Sequence, residues 1–553
     1  MASEHETPGK RTIATVLDKL AREHPTRLVC KAPKGPRVAN GFSSLDIGTL
    51  SKAVDSTAWL ITESFGTPEK DEVLLYLGDS DIRYLVFVVA CQKAGFKPFL
   101  PSTKNSIDVQ CALLETTGCS GVLFSSTLKL QVEEIKAFKA SVAVMEVPKF
   151  EQMVTNFSRY YPYDTAYQAI EDETAIIIHS SGTTGVPKPI HLTHGFLGTV
   201  DKQGQIAVPK GRVSAIPKKT RQNYLFLSTA PFFHLMGIYA TAMSVFQGAP
   251  FVYPPPTASL TIETFIEVIS AEHPTVAVIT PALVEAVGQS ATALEALSAL
   301  EMVCIGGAPL APDIGDTINK RTNLVSVLGA SELGLIPSLI PENKADWEYF
   351  EWNPNYQLRM DPSGDDSQLH ELVIPRGESR DIHGIFHTFP DLTEYRTKDL
   401  FSPHPTRPSL WRYEGRLDDT ITLISGQKIS PIPMEKIIEG HPLVSRAVVI
   451  GNRRSQLALL VEPCESSNLS SRNESDISEY KRTIWPAVEK VNELAPHEVQ
   501  IGIMRIGLAS RGKPFCTTPK GSTQRRKVLQ DYEREIEHVY QQDEYWTTLF
   551  KNG

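Results

Sequence analysis

Short aliphatic runs alternate along this chain with longer stretches whose apolar positions recur at helical spacing. Residues 71–77 (DEVLLYL) predict a strand, 81–95 a helix, and 96–100 (FKPFL) a second extended run. The same alternation returns at 251–253, 262–271, 276–280 and 302–305. Strand–helix–strand units of this kind favour right-handed crossovers and a largely parallel sheet faced by helices, so the pattern predicts an α/β fold. Residues 402–408 (SPHPTRP) are proline-rich and predict an ordered connection near a domain boundary. The serine-rich stretch 465–478 predicts an exposed loop within the last domain. Residues 524–542 predict a final helix, with Val528, Leu529, Tyr532, Ile536 and Tyr540 on its apolar side and its charges on a solvated face.

Composition narrows the class. The 553 residues are 41% hydrophobic and 22% charged, ordinary globular usage that excludes a disordered tail, a collagen-like chain or a small disulfide scaffold. A formal charge of −9 supplies no basic field, so neither nucleic acid nor an anionic membrane is expected as a partner. The 7 cysteines are scattered without a CxxC pair and predict reduced thiols in a cytoplasmic protein. The polar N-terminus lacks a signal-peptide core. No apolar stretch approaches the roughly 20 residues that span a bilayer.

The most informative stretch is 174–190, TAIIIHSSGTTGVPKPI. An apolar strand runs into Ser180, Ser181, Gly182, Thr183, Thr184 and Gly185, followed by Lys188. Glycines let a backbone approach an anion, hydroxyls add donors and lysine adds charge, which is chemistry for a polyphosphate. The spacing is not that of a Walker A loop.

The run SSGTTGVPKP resembles the signature of the adenylate-forming superfamily, which includes acyl-CoA synthetases, luciferases and peptide-synthetase adenylation domains. Further stretches resemble that family's motifs in order: PFFHLMG at 231–237, GGAP at 306–309, LGASE at 328–332, YRTKD at 395–399, GRLD at 415–418 and PKGSTQR at 519–525. The resemblance implies a large N-terminal core of layered sheets and helices over 1–415, which binds ATP and acid. It implies a smaller, mobile α+β domain over 416–553, which carries Lys520. By motif, Lys520 would contact the carboxylate and the α-phosphate, and Glu332 with Thr184 would hold Mg²⁺. The phosphate loop with Lys188 would cradle the leaving pyrophosphate. Asp399 would hold the ribose and Arg416 the nucleotide near the hinge. Gly307, Ala308, Pro309, Leu328, Gly329 and Ser331 would lie on the adenine side. The Ser425–Ile429 loop, including Lys428, would face an incoming thiol after the small domain swings.

Departures from the family pattern carry information. Leu328 replaces a tyrosine, which predicts apolar packing in place of stacking on adenine. Ser331 keeps a hydroxyl where threonine is usual. Lys398 replaces the glycine of YRTGD, which puts the local turn in question. Lys520 precedes Gly521 where the commoner order is reversed. The KGSTQR form, with SGQK at 425–428, resembles fungal peptide-synthetase-like reductases that activate a carboxylic acid for a carrier domain.

Motif alignment lines an acid pocket with Phe233, Leu235, Met236, Tyr239, Thr280, Cys304, Gly306, Val327, Leu335 and Ile336, with His234 meeting the carboxylate. Amino-acid-activating relatives have an aspartate where this chain has Leu235. A free α-amine would therefore be buried without a partner, at a cost of several kcal/mol. The pocket suits an aryl acid, an alkyl acid, or a betaine-type acid embraced by aromatic rings. No carrier serine motif or GxGxxG reductase fingerprint occurs in these residues. The KGSTQR resemblance implies an adenylation domain serving the phosphopantetheine thiol of a carrier domain, with a reductase downstream. A stand-alone CoA ligase and a catalytically silent nucleotide-binding scaffold are the alternatives.

Overall fold

The computed structural model describes residues 7–541, apart from 158, 181–186, 217–223, 257–259, 364–367, 378–379, 426–427, 468, 470–472, 494–499, 511 and 519–520. The predicted alternation forms closely. Val73–Leu77 is a strand with every residue buried, Arg83–Ala94 a helix and Lys97–Phe99 a strand. Gly95 ends the helix in the left-handed conformation, as a glycine C-cap does without a Cβ penalty.

Two mostly parallel sheets form the body of the molecule. The six-stranded sheet runs Ala143–Glu146, Gly121–Phe124, Val73–Leu77, Lys97–Phe99, Thr174–His179, Pro189–Thr193, and only its last pair is antiparallel. The seven-stranded sheet runs Asn323–Ser326, Met302–Ile305, Val276–Ile279, Phe226–Ser228, Phe251–Val252, Leu28–Pro33, Phe42–Asp46, again antiparallel only at the last pair. Parallel strands covered on both faces read as continuous aliphatic runs, which is why periodicity located them.

One apolar cluster joins the two sheets: Leu74 and Tyr76 from the first, Phe226 and Phe251 from the second, with Val86 and Val89 of the intervening helix. Arg83–Ala94 is apolar nearly all round and buried nearly all round, as a helix between two layers must be. Lys93 is a buried charge near its end. Its ammonium donates to Asp18 at 2.6 Å and Asp55 at 2.7 Å, tying that helix to Ile13–Glu23 and Ile47–Phe65. Removing either carboxylate would leave a buried charge undercompensated, at about 3–5 kcal/mol.

A six-stranded antiparallel sheet follows, in the order Ser338–Leu339, Tyr349–Trp352, Leu410–Arg416, Glu394–Pro403, His370–Pro375, Arg359–Pro362. The proline-rich stretch 402–408 turns between two of these strands, where the His404 N–H donates to the Leu410 carbonyl at 2.9 Å. It is an ordered hairpin connection between two strands of one sheet. The prolines suit it because a strand end and a tight turn need few donors.

The last part of the chain has a smaller sheet, Val444–Ile450, Ala458–Pro463, Ile506–Leu508, covered by Pro431–Glu439 and Glu474–Asn492. Part of the predicted loop at 465–478 is therefore helical. Asn473 caps that helix by accepting the Asp476 N–H at 2.8 Å, so its polar first turn reads as loop by composition alone. Val528, Tyr532, Ile536 and Tyr540 are buried against the small sheet and Leu529 packs beside them, on the face that periodicity predicted.

Candidate active site

In both parallel sheets the strands end on one side, and the loops that follow them wall a cavity of about 1000 Å³. Open α/β sheets place ligands at the carboxyl ends of their strands. The six-stranded sheet contributes Gly78, Asp79, Ser80, Thr103, Lys104 and Leu128. The seven-stranded sheet contributes Ser228, Tyr253, Thr280, Gly306, Gly307 and Val327, among others.

Most of the predicted acid pocket is assembled here. Phe233, His234, Leu235, Met236, Thr280, Gly306, Val327 and Leu335 all line the cavity. His234 occupies the N-cap position of helix Leu235–Phe246, and its ring centroid lies 5.0 Å from that of Phe233. Tyr239, Cys304 and Ile336 were expected in the wall and instead lie one layer behind it. Tyr239 is 1% exposed, and its hydroxyl accepts the Leu335 N–H at 3.1 Å, so it buttresses a wall residue. Cys304 and Ile336 are fully covered, in the core of the seven-stranded sheet and beneath the antiparallel sheet respectively. Strand alternation sends Cys304 inward.

The predicted adenine side is bare backbone. A Cβ at Gly306 would meet the Val327 carbonyl oxygen at 2.7 Å, and one at Gly329 would meet that of Gly334 at the same distance. Gly307 has φ +96° with nothing within 4 Å of a built Cβ. The first two glycines let neighbouring backbone pack closely behind the wall, while at Gly307 the backbone is open, a surface that a flat base can approach. Gly329 and Ser331 line the cavity, and Leu328 is half-buried beside them, packed on aromatic side chains of the antiparallel sheet. Ala308 and Pro309 are half-buried after Gly307.

Asp399 and Arg416 face one another across an antiparallel strand pair, with carboxylate and guanidinium 3.4 Å apart. Burial pushes the Asp399 carboxyl up to about 6, opposed by Arg416 and by hydrogen bonds with Thr397 and Tyr413. Burial raises the nearby Tyr395 phenol, and the carboxylates of Glu332 and Asp399 add to it, so residues far apart in sequence share one small region. Lys398 adopts φ 62°, the left-handed conformation that glycine takes without strain. The turn therefore keeps its shape with a lysine in it, and Lys398 pairs with Asp418 at 3.3 Å.

Ser181, Gly182, Thr183, Thr184 and Gly185 lie outside the described residues, but the stem of their loop does not. The Ser180 N–H donates to the Lys188 carbonyl at 3.0 Å, and the Lys188 side chain is exposed. His179, just before the loop, accepts the Ser102 N–H on Nε2 at 2.9 Å. Its Nδ1 therefore carries the proton, 3.3 Å from the Ser180 carbonyl. Burial lowers the pKa of His179, in keeping with a neutral ring.

Lys520 also lies outside the described residues, whereas Gly521 lines the cavity. Gly521 has φ 85°, and its N–H donates to the Thr518 carbonyl at 2.8 Å in a tight turn. Arg525 anchors that turn to the small sheet through Glu435 and the Val449 carbonyl. Lys428 is exposed on a short strand paired with Ile421–Thr422.

Among the described residues no group of three or more His, Cys, Asp or Glu side chains forms a metal cage. That is compatible with Mg²⁺ in a nucleotide site, which takes one or two carboxylates and completes its shell with phosphates and water. Glu332, half-buried between the lining residues Ser331 and Leu335 but not itself lining the cavity, is the carboxylate that the motif offers for it. No helix among the described residues is long and apolar enough to cross a membrane.

Sequence reading did not find Lys104. It is the only Lys or Arg among the described residues that line the cavity. It belongs to no motif, and only the folding of the first sheet against the second brings it to the site.

Comparison with known proteins agrees with this geometry. Residues 17–351 match the model of AMP-binding enzymes, and residues 418–544 that of the AMP-binding enzyme C-terminal domain. A carboxylic acid reductase of Neurospora crassa is 29% identical over 98% of this chain, and an adenylate-forming reductase of Heterobasidion annosum 30% identical over 83%. The chain spans 52% of the first relative and 42% of the second. The adenylation domain of a carboxylic acid reductase from Segniliparus rugosus, solved with AMP and a co-purified carboxylic acid, superposes with TM-score 0.72 at 16% identity, over 97% of this chain and 95% of that one. A benzoate CoA ligase from Burkholderia xenovorans superposes with TM-score 0.69 at 17% identity, over 94% of this chain and 99% of that one. With the AMP-binding enzyme model matched over most of its larger part and the C-terminal model after it, the chain belongs to the AMP-binding enzyme family and is an adenylate-forming ligase.

Proposed function

We propose that this chain uses ATP to convert a carboxylic acid without a free α-amine into an acyl-adenylate. A carboxylate oxygen attacks the α-phosphorus, the bond to the bridging oxygen breaks, and pyrophosphate leaves. The acyl group then passes to the phosphopantetheine thiol of a carrier domain, with AMP as the leaving group, for reduction by a further domain. The observation that carries the choice of acid is the wall around Leu235, which is 7% exposed and flanked by Phe233, Met236, Val327 and Leu335. The carboxylates on the cavity wall do not change this. Asp79 accepts from Arg83 at 2.9 Å and Thr127 at 2.7 Å, and Glu263 is exposed. A buried ammonium would find no partner there among the described residues.

Two anions must meet in this reaction, so the barrier is largely electrostatic and placed cations lower it. Lys520 would span the carboxylate and the α-phosphate, His234 would orient the acid, and Asp399 would accept from the ribose hydroxyls. Arg416 would hold the nucleotide near the hinge, and the phosphate loop with Lys188 would take the β- and γ-phosphates. Mg²⁺, held by Glu332 and Thr184, would supply charge neutralisation on the phosphates. Residues 1–415 would form the core and 416–553 a domain that swings to present Lys428 to the thiol. That motion would break the ion pairs Lys436–Glu285 and Lys490–Asp313, now 3.4 and 3.1 Å long.

Carrier transfer is supported by relatives about twice as long as this chain, and by its superposition on an adenylation–carrier didomain of a carboxylic acid reductase with TM-score 0.71 at 16% identity. The likeness to a CoA ligase favours a second reading, in which CoA itself takes the acyl group. Carboxylate-dependent ATP–pyrophosphate exchange over aryl, alkyl, α-keto, amino and betaine acids tests activation. An aryl, alkyl or betaine acid should exchange, and activity confined to amino acids would overturn the choice of substrate. Thioester formation on a holo-carrier domain against CoA then separates the two acceptors.

A further inference from the structure

We infer that Lys104, at the end of the cavity walled by the six-stranded sheet, is a phosphate-binding residue of this site. The inference rests on the proposed function only in taking the cavity to be where the anions meet. A cavity that receives a carboxylate, a nucleotide triphosphate and then the arm of a carrier handles several negative charges, and uncompensated anions are costly to bring together. Among the described lining residues Lys104 is the only side chain with a permanent positive charge. Arg83 stands near the same wall but is spent on Asp79 and Asp81, at 2.9 and 2.7 Å. Lys104 makes no ion pair with a described residue, and its side chain is exposed at the cavity wall.

The loop that carries it is held in place. The Lys104 N–H donates to Ser102 Oγ at 3.2 Å and the Asn105 N–H to the Ser102 carbonyl at 3.2 Å. Gln110 donates to the same carbonyl at 2.7 Å, and Ser102 and Asn105 both bond His179 Nε2. His179 is the residue from which the phosphate loop departs, so the Lys104 backbone and the stem of that loop are registered to one imidazole. A cation on a fixed backbone loses little freedom on meeting a phosphate oxygen, which favours recognition over chance attraction.

The phosphate has two possible sources, the pyrophosphate end of ATP and the phosphodiester that joins pantetheine to its carrier. Wild type, Lys104→Gln and Lys104→Arg should be compared by calorimetric titration with ATP and with pyrophosphate. Acyl transfer to phosphopantetheine and to pantetheine, which lacks the phosphate, should be measured alongside. Loss of one partly exposed charge predicts about threefold to tenfold weaker interaction in the Gln variant, largely restored by Arg. Weaker ATP and pyrophosphate binding identifies the nucleotide as the source. A higher KM for phosphopantetheine, with pantetheine unchanged, identifies the carrier arm. Unchanged constants for all three phosphates overturn the inference. If the wild type binds pyrophosphate through Lys104 yet shows no acid-dependent exchange, the phosphate site stands and the proposed reaction falls.

Discussion

The two walls of the cavity are built alike and chemically unlike. Each is the carboxyl edge of a parallel sheet, and each strand end hands over to a short loop. The seven-stranded sheet and its adjoining helix supply mainly aromatic, aliphatic and glycine positions. The six-stranded sheet supplies Asp79, Ser80, Thr103 and Lys104, a polar surface. One side offers shape and apolar area, the other polar groups and a charge. The difference shows that one architectural rule places a site, and the residues at a few loop positions decide what each side of it can hold.

The comparison is broken most severely by forcing apart the close-packed backbone of the first wall. Gly306→Val places a Cβ 2.7 Å from the Val327 carbonyl oxygen and should lower acid-dependent pyrophosphate exchange by more than about 100-fold, by analogy with the effect of misplacing a bound reactant. If exchange persisted within a few-fold of wild type, that wall would not form the nucleotide side.

A smaller effect is expected from charge in the apolar wall. Leu235→Asp buries a carboxylate near the substrate carboxylate and should raise the KM of the native acid about 10-fold to 100-fold. An unchanged KM would place residue 235 outside the acid pocket. Gain of exchange with a free amino acid would show that this position alone excludes the ammonium.

Acidification probes a charged position outside both walls. Asp399 titrates at about 6, so its carboxylate is present above that pH and protonated below it. If the ribose hydroxyls donate to this carboxylate, the KM for ATP should rise about 10-fold between pH 7 and pH 5. Asp399→Asn should start weaker and lose this pH dependence. The smallest change is Lys398→Gly. Relief of a left-handed lysine gains up to about 1 kcal/mol, offset in part by the lost ion pair with Asp418, as urea unfolding would show.

Legibility followed the same division. Strands such as Val73–Leu77 and Met302–Ile305 were readable because burial on both faces demands unbroken aliphatic runs. Most of the first wall was readable because its residues sit inside contiguous motifs. Tyr239, Cys304 and Ile336 were misplaced by one layer, since alignment to a motif does not say which face of a strand or helix points at the cavity. The polar first turn of Glu474–Asn492 was read as loop because capping chemistry and loop chemistry use the same residue types.

By itself the sequence determined the α/β alternation and the family, because these depend on local pattern and on contiguous motifs. Only the tertiary structure decided that two sheets turn their carboxyl edges to one cavity, that Asp399 meets Arg416 and titrates near 6, and that Lys104 stands on the opposite wall. These properties arise from burial and from contacts between distant segments. A pKa or an electrostatic role depends on the dielectric and the neighbours that folding assembles, and no stretch of sequence contains them.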